Sequence, residues 1–296
     1  MRETQVLFEL AGLRLGRFGC GPESPRWAGE NLIESWPHVV FPGTSVVICH
    51  VGSEPVLANR NHVMFYNAGQ RYCRALHDAN GDHCHFVEVA PPLLAELAGS
   101  DREVRFPFSQ GPGDGRLYAL VAAVVRHLAH DTPEELLAEE SLAHAVAGSV
   151  AAAFAFHGAR RRRHGASSAA AHRSLVEQAK ELLTDTATER LSLGDLGRRL
   201  HTSAYHLAHV FREGTGFTLH GYRTQLRLRI ALERLRHADT DLAPLAHELG
   251  FASHSHFTDT FRRAFGVPPS ALRGELGGGL LRDLRRIVEA PLRAAA

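Results

Sequence analysis

One stretch of this chain occurs twice, and the repeat limits what the C-terminal half can fold into. Residues 205–223 read YHLAHVFREGTGFTLHGYR, and 255–273, fifty positions on, read SHFTDTFRRAFGVPPSALR. At that offset His206 overlies His256, Phe211 overlies Phe261 and Arg212 overlies Arg262. Gly216 overlies Gly266, Arg223 overlies Arg273, and Leu207 over Phe257 keeps an apolar position apolar. Self-similarity at such a period marks a duplicated supersecondary element.

Local signals say what the element is. Ser192 and Asp195 have capping-box spacing ahead of Leu193, Leu196 and Leu200. The chain then turns at His201-Thr202. Ser203 is placed to cap a second helix that buries Leu207, Val210 and Phe211. In the second copy Leu242, Leu245, Ala246 and Leu249 form the first helix, and Gly250 ends it by accepting a left-handed conformation. Ser253 caps a helix that buries Phe257, Phe261 and Phe265. A short helix, a tight turn and a second helix describe a helix-turn-helix. Between the copies Thr218 caps a helix over 222–237 with Tyr222, Leu226, Ile230 and Leu235 on its apolar side. At about 1.5 Å per residue that strut is about 24 Å long. It would hold two helices in successive major grooves, about 34 Å apart, without a dimer.

The rest of the chain differs in charge and in period. Residues 1–157 carry a net charge of −7 and residues 158–275 one of +6, which the total of +1 conceals. An acidic front and a basic back imply two domains with different partners. Residues 5–110 read as strands, with β-rich runs at Val39–Phe41, Ser45–His50, Val63–Tyr66 and His85–Val89 between Gly, Pro and Asn turns. Leu117, Leu120, Val121, Val124, Val125 and Leu128 then follow helical spacing. Thr132-Pro133-Glu134-Glu135 reads as the start of a second helix, which continues through Leu142, Val146, Val150 and Phe154. These two helices are expected to pack on the strands, to form a dimer interface, or both. Residues 158–171, with Arg160–Arg163 among small residues, read as a linker.

The 296 residues contain no run of about 18 apolar residues, the length a membrane helix needs. No apolar segment follows Arg2 and Glu3 as in a secretory signal. Cys20, Cys49, Cys73 and Cys84 show no C-x-x-C spacing, so a reducing cytoplasm is expected and neither a disulfide framework nor a zinc knuckle is.

The pattern Leu196-x3-Leu200, Tyr205-x-Leu207-x3-Phe211, Thr215-Gly216, Arg227-Leu228-x2-Ala231, Leu245-Ala246-x3-Gly250-Phe251, Ser255-His256-Phe257-x3-Phe261-x4-Gly266-Val267-x-Pro269 resembles the DNA-binding domain of the AraC/XylS transcriptional regulators. The resemblance covers about a third of the chain, 172–275. It implies two helix-turn-helix units joined by a helix, double-stranded promoter DNA as partner, and most often activation, with RNA polymerase as a second partner. It also implies an N-terminal sensor, often a cupin-like β-barrel, for a small-molecule effector.

The expected fold class is therefore α+β. A cupin-like barrel with two helices and a dimerisation region fills 1–157, a linker 158–171, an all-α double helix-turn-helix 172–275 and a tail 276–296. The DNA-reading residues are expected on the faces turned from the buried stripes. These are Ala204, Tyr205, Ala208 and His209 with Arg212 in the first copy, and His254, Ser255, Thr258 and Asp259 with Arg262 in the second. Asp259 stands where the family often has a basic or amide residue. A carboxylate accepts from cytosine N4 but repels phosphate, so the second copy is expected to bind more weakly. His206 and His256 are read as packing residues.

Two enzyme readings compete. His83 and His85 share a face of a strand near His77 and Glu88, which is ligand-like. Yet Tyr72 follows Gly69-Gln70-Arg71 where an enzymatic cupin has its later His, and Glu88 comes too soon. The bland alternative places these histidines on a hairpin edge or along a ligand cavity. Cys84 is read as packing. A redox pairing of cysteines has no support from spacing, and Arg71, Tyr72 and Arg74 either meet an anionic ligand or form a solvated rim. Methyl-accepting repair of alkylated DNA would need a tight zinc–cysteine cluster. The expectation is a cytoplasmic homodimeric regulator without catalytic residues, cofactor or metal; the alternative is a metal-binding cupin enzyme or a redox or metal sensor.

Overall fold

In a computed structural model, residues 3–130, 132–161, 169–237, 239–273 and 278–295 are described. The chain divides into two compact units, one of Met1–Phe154 with Glu275–Ala296 and one of Ala155–Gly274.

The first unit opens with a hairpin of β1 (Thr4–Leu10) and β2 (Leu13–Cys20). Its turn residues Ala11 and Gly12 both have positive φ, 45° and 89°, as a two-residue hairpin turn with the strands' own twist demands. Then come β3 (Asn31–Leu32), β4 (His38–Pro42), β5 (Val46–His50), β6 (Val56–Ala58), β7 (His62–Tyr66), β8 (Arg71–Leu76), β9 (Asp82–Val89) and, after helix α1 (Pro91–Leu97), β10 (Gln110–Pro112). The four β-rich runs of the sequence coincide with β4, β5, β7 and β9, except that Ser45 lies just ahead of β5. The strands form two antiparallel sheets, in the orders β1-β2-β9-β4-β7-β10 and β3-β8-β5-β6. The expected closed barrel is corrected: β1 and β10 end one sheet and β3 and β6 the other, and no ladder joins them among the described residues. Between the sheets lie Ile33, Val46, Ile48, Ala58, Met64 and Tyr66, with Phe18, Cys20 and Phe86 beside them.

Helix α2 (Gly115–His127) is capped by Asp114, which accepts from the Arg116 amide, and buries Leu117, Leu120, Val121 and Val124. Helix α3 (Glu135–Arg161) begins later than the capping signal at Thr132 suggests, since residues 132–134 are non-helical. There the Glu134 amide donates to His127 Nε2 at 2.8 Å, a tertiary bond that replaces the local cap. By length and composition Glu135–Ala159 could cross a membrane. Leu142 and Val146 are nonetheless fully buried and Val150 nearly so, which marks a core helix that no apolar-run rule identified. Because α3 runs to Arg161 and the next helix starts at Ala169, part of the expected linker is helical; 162–168 lie outside the described residues. The expected tail is largely a helix, α10 (Gly278–Ala295), which packs on α2. It buries Leu281, Leu284 and Val288, and its Arg282 and Arg285 pair with Glu134 and Glu140.

The second unit is all helix: α4 (Ala169–Asp185), α5 (Leu193–Arg199), α6 (Ala204–Thr215), α7 (Leu219–Arg234), α8 (Leu242–Glu248) and α9 (His254–Phe265). α4 was not anticipated, although it supplies Ala179 and Leu183 to a core shared with Leu196, Leu207, Phe211, Tyr222 and Leu226.

Candidate nucleic-acid interface

Each step of the two helix-turn-helix units has a local cause. Ser192 and Asp195 close a reciprocal capping box on α5. Ser203 accepts from the His206 amide to start α6, and Ser253 does the same for α9 through the His256 amide. Both helices stop at a left-handed glycine, Gly216 with φ 79° and Gly266 with φ 83°. Thr218 caps α7.

The copies differ at the turn. Four residues separate α5 from α6 and five separate α8 from α9, so the fifty-residue offset holds for α6 and α9 but falls to forty-nine for α5 and α8. The left-handed position is His201 (φ 50°) in the first copy and Gly250 (φ 74°) in the second. In the first, Gly197 lets the turn approach: a Cβ there would lie 2.8 Å from the Thr202 carbonyl oxygen.

These scaffolds present one face of each second helix. On α6, Leu207, Val210 and Phe211 are buried, while Tyr205 (84% exposed), His209 and Arg212 point outward. Ala204 is half-buried, and Ala208 is half-buried against the core, at the edge of the reading face. On α9, Phe257, Phe261 and Phe265 are fully buried, with successive ring centroids 5.6 Å apart edge-on and 4.3 Å apart tilted. His254, Ser255, Asp259 and Arg262 are exposed and Thr258 half-buried. His209 Nε2 lies 3.6 Å from Glu213 Oε2. Expected to pack, His206 and His256 are instead exposed, each ring edge-on at 5.6 Å to a neighbour, His172 and Phe251 respectively. The stripe positions already hold Leu207 and Phe257, so the preceding residue of each helix is turned out. Arg263, also exposed, adds a cation to α9 that the face-by-face reading missed.

Arg227, part of the family pattern in the sequence, has an anchoring role that sequence reasoning did not assign. It is buried on α7, where Nε donates to the Ala187 carbonyl at 2.6 Å, Nη2 to Glu189 at 2.8 Å and Nη1 to Gly250 at 3.1 Å. One guanidinium thus ties the strut to the α4–α5 connection and to the turn of the second copy. Burial, helped by Arg223 and Arg190, lowers its pKa to about 10, still charged at neutral pH. A five-donor planar fork suits three diverging carbonyls as an ammonium does not. The signal was an arginine at an apolar position of a helix. Beside α6, a groove of about 550 Å³ is lined by Tyr205, His209, Arg212, His220 and Arg223 among others.

The front unit holds a separate cavity of about 170 Å³ between its two sheets. Strand alternation decides which candidates reach it. Asp82, Cys84, Phe86 and Glu88 of β9 face it; His83 and His85 fall on the opposite side and His77 lies beyond β8, so the suspected ligand set is split. Among the described residues no three His, Cys, Asp or Glu side chains are placed to hold a metal. Arg71 is exposed and paired with Glu30 at 2.9 Å. Arg74 is buried, donating to Asp82 at 2.8 Å and to the Tyr72 hydroxyl at 2.5 Å, and its guanidinium lies 4.4 Å from the Phe18 ring centroid. Glu88 accepts from Arg14 and from Ser35, both at 2.9 Å. Burial lowers the His38 pKa against the pull of Glu88, and raises the Cys84 thiol well above its ordinary range.

Two helix-turn-helix units on one strut define a DNA-binding domain. A helix-turn-helix domain family matches residues 196–275. The HTH-type transcriptional activator RhaS of Pectobacterium carotovorum is 33% identical over 91 residues, 31% of this chain and 33% of its own. RhaR of the same organism, also an HTH-type transcriptional activator, is 41% identical over 73 residues, 25% of this chain and 26% of its own. The regulatory protein PocR of Salmonella typhimurium is 28% identical over 105 residues, covering 36% and 35%. The C-terminal domain of AraT, a response regulator from Geobacillus stearothermophilus, aligns with 33% of this chain and 83% of its own at 22% identity and a TM-score of 0.32. The chain spans about a third of the length of the curated relatives it matches. Over residues 196–275 its C-terminal helical domain is similar to the DNA-binding domains of transcription regulators of the AraC/XylS type.

Proposed function

We propose that this chain is a sequence-specific regulator that binds double-stranded promoter DNA through α6 and α9 and answers to a small molecule held in its N-terminal half. The observation that carries the reading is the pair of capped helices whose inner faces are aromatic or aliphatic core and whose outer faces are polar. Tyr205, Ala204, Ala208 and His209 read bases in one major groove, and His254, Ser255, Thr258 and Asp259 in the next. Arg212 and Arg262 meet phosphates, supplying salt-dependent affinity while the base edges supply specificity. The basic charge of 158–275 suits that partner. We read 1–157 as a cupin-like sensor and dimerisation region and 172–275 as the reader. The protein acts without catalysis as a cytoplasmic homodimeric activator that works with RNA polymerase.

The cavity favours an uncharged effector. Its buried charges are already matched, Arg74 by Asp82 and Glu88 by Arg14, and an added ion would leave one charge unpaired at a cost of several kcal/mol. Its volume of about 170 Å³ slightly exceeds that of a cavity known to admit benzene, about 150 Å³, and Phe18, Tyr66, Tyr72 and Phe86 line it. A compact, neutral ring with a hydroxyl fits those walls.

Selection of bound fragments from random duplex DNA by the full-length chain tests the function. The expected result is one enriched motif with two half-sites about one helical turn apart. Binding without preference over competitor DNA overturns it.

A further inference from the structure

Strand pairing brings together two cysteines far apart in the sequence. In the β5–β8 ladder Cys49 stands directly opposite Cys73. The next bond along the ladder, from the Val51 amide to the Arg71 carbonyl at 3.1 Å, fixes this register. Directly opposed residues of an antiparallel pair have Cβ atoms about 4.5–5.5 Å apart and Cα atoms about 5.5 Å apart. A disulfide spans Cα separations of about 4.4–6.8 Å and Cβ separations of about 3.5–4.5 Å, so the Cα spacing already fits and closure must draw the two Cβ atoms about 1 Å or more together.

Both thiols are on the outward side of the sheet. Their neighbours Ile48, Tyr72 and Arg74 line the cavity, and alternation turns Cys49 and Cys73 the other way. Both are partly exposed and reduced. Cys49 Sγ donates to the Ser53 carbonyl at 3.3 Å. The other two cysteines are set apart: Cys20 is fully buried, Cys84 faces the cavity, and both belong to the other sheet.

We propose that Cys49 and Cys73 are a reversible thiol–disulfide pair, closed by a hydroperoxide, that fastens β5 to β8 in the cavity wall. One thiolate attacks the peroxide O–O bond, giving a sulfenic acid and releasing water or an alcohol. The second thiolate attacks the sulfenic sulfur, the S–S bond forms, and the hydroxyl leaves as water with the remaining proton. Two thiols lose two electrons and the peroxide gains them. A small-molecule dithiol reverses the step by exchange through a mixed disulfide.

The test uses the full-length chain, reduced, treated with hydrogen peroxide, then denatured, alkylated and digested for mass spectrometry. Two of the four thiols are expected to escape alkylation, in one cross-linked peptide joining Cys49 to Cys73, and dithiothreitol should restore all four. The Cys20→Ser/Cys84→Ser variant should give the same cross-link and Cys49→Ser should abolish it. Because the parent chain alone gives the decisive peptide, poor folding of a variant does not blunt the test. Four alkylated thiols after peroxide, a sulfinic acid at either position without a cross-link, a link between another pair, or a link only between two chains would each overturn the proposal.

Discussion

The two helix-turn-helix copies share a scaffold and differ in nearly everything that scaffold displays. Both second helices start at a serine cap and end at a left-handed glycine. The first packs Leu207, Val210 and Phe211, the second three phenylalanines. The first bends through a strained His201, the second through Gly250. The first presents Tyr205, Ala208 and His209 where the second presents Ser255, Thr258 and Asp259. Duplication preserved what the backbone needs, and divergence is concentrated where water, or DNA, meets the helix.

The largest effects should come from the cores. Leu207 and Phe257 are equivalent and both fully buried. Phe257→Ala is expected to cost about 4 kcal/mol and Leu207→Ala about 3 kcal/mol in urea unfolding, because the phenyl leaves the larger cavity. A larger loss at Leu207 would show that the first copy is the rigid one. Next is the shared anchor. Arg227→Met leaves the Ala187, Glu189 and Gly250 carbonyls without their donor and should cost about 2–3 kcal/mol. Since this arginine joins the strut to the α4–α5 connection and to the turn of the second copy, hydrogen exchange should quicken at α5 and at α8 more than at α6. Equal quickening would mean that the copies unfold as one.

DNA binding sharpens the comparison at the surface. At fixed salt, Tyr205→Ala or His209→Ala should weaken specific binding about tenfold, a loss of about 1.4 kcal/mol, and His254→Ala much less. Asp259→Asn should tighten binding by removing a repelled carboxylate. A reversed order in a fluorescence titration would make α9 the principal reader. The smallest effect belongs to the turns. His201→Gly relieves a left-handed residue and should gain about 0.5 kcal/mol, the released strain of about 1–2 kcal/mol being partly offset by the freer unfolded chain. Gly250→Ala should lose more than His201→Gly gains, because its Cβ would also meet Arg227 Nη2 at 2.9 Å. Matched melting curves for the two variants check the pair.

The helical half was legible because its signals are local. Ser192 reaches Asp195, Ser203 reaches His206, and apolar residues recur within a turn or two; each interaction closes within a few residues. What was misread there was also local but ambiguous: His206 and His256 adjoin a buried position, and periodicity alone does not say which side of the boundary an adjacent residue takes. Arg227 was read as part of a pattern and not as an anchor because its three partners lie 23 to 40 residues away. In the front half the strands could be found by composition, yet the sheet order, the missing barrel closure and the cavity could not. A β run specifies its own extended shape and not its neighbour.

The sequence by itself determined the repeat, the caps, the buried stripes and hence a double helix-turn-helix, since short-range hydrogen bonds and helical periodicity set these before any long-range contact forms. Only the tertiary structure decided that Cys49 faces Cys73, that the His83 and His85 side of β9 is the one turned from the cavity, and that the C-terminal residues form a helix on α2 and not a loose tail. Each of those depends on which distant segments pair, and pairing is set by the burial of whole faces, which no window along the chain contains.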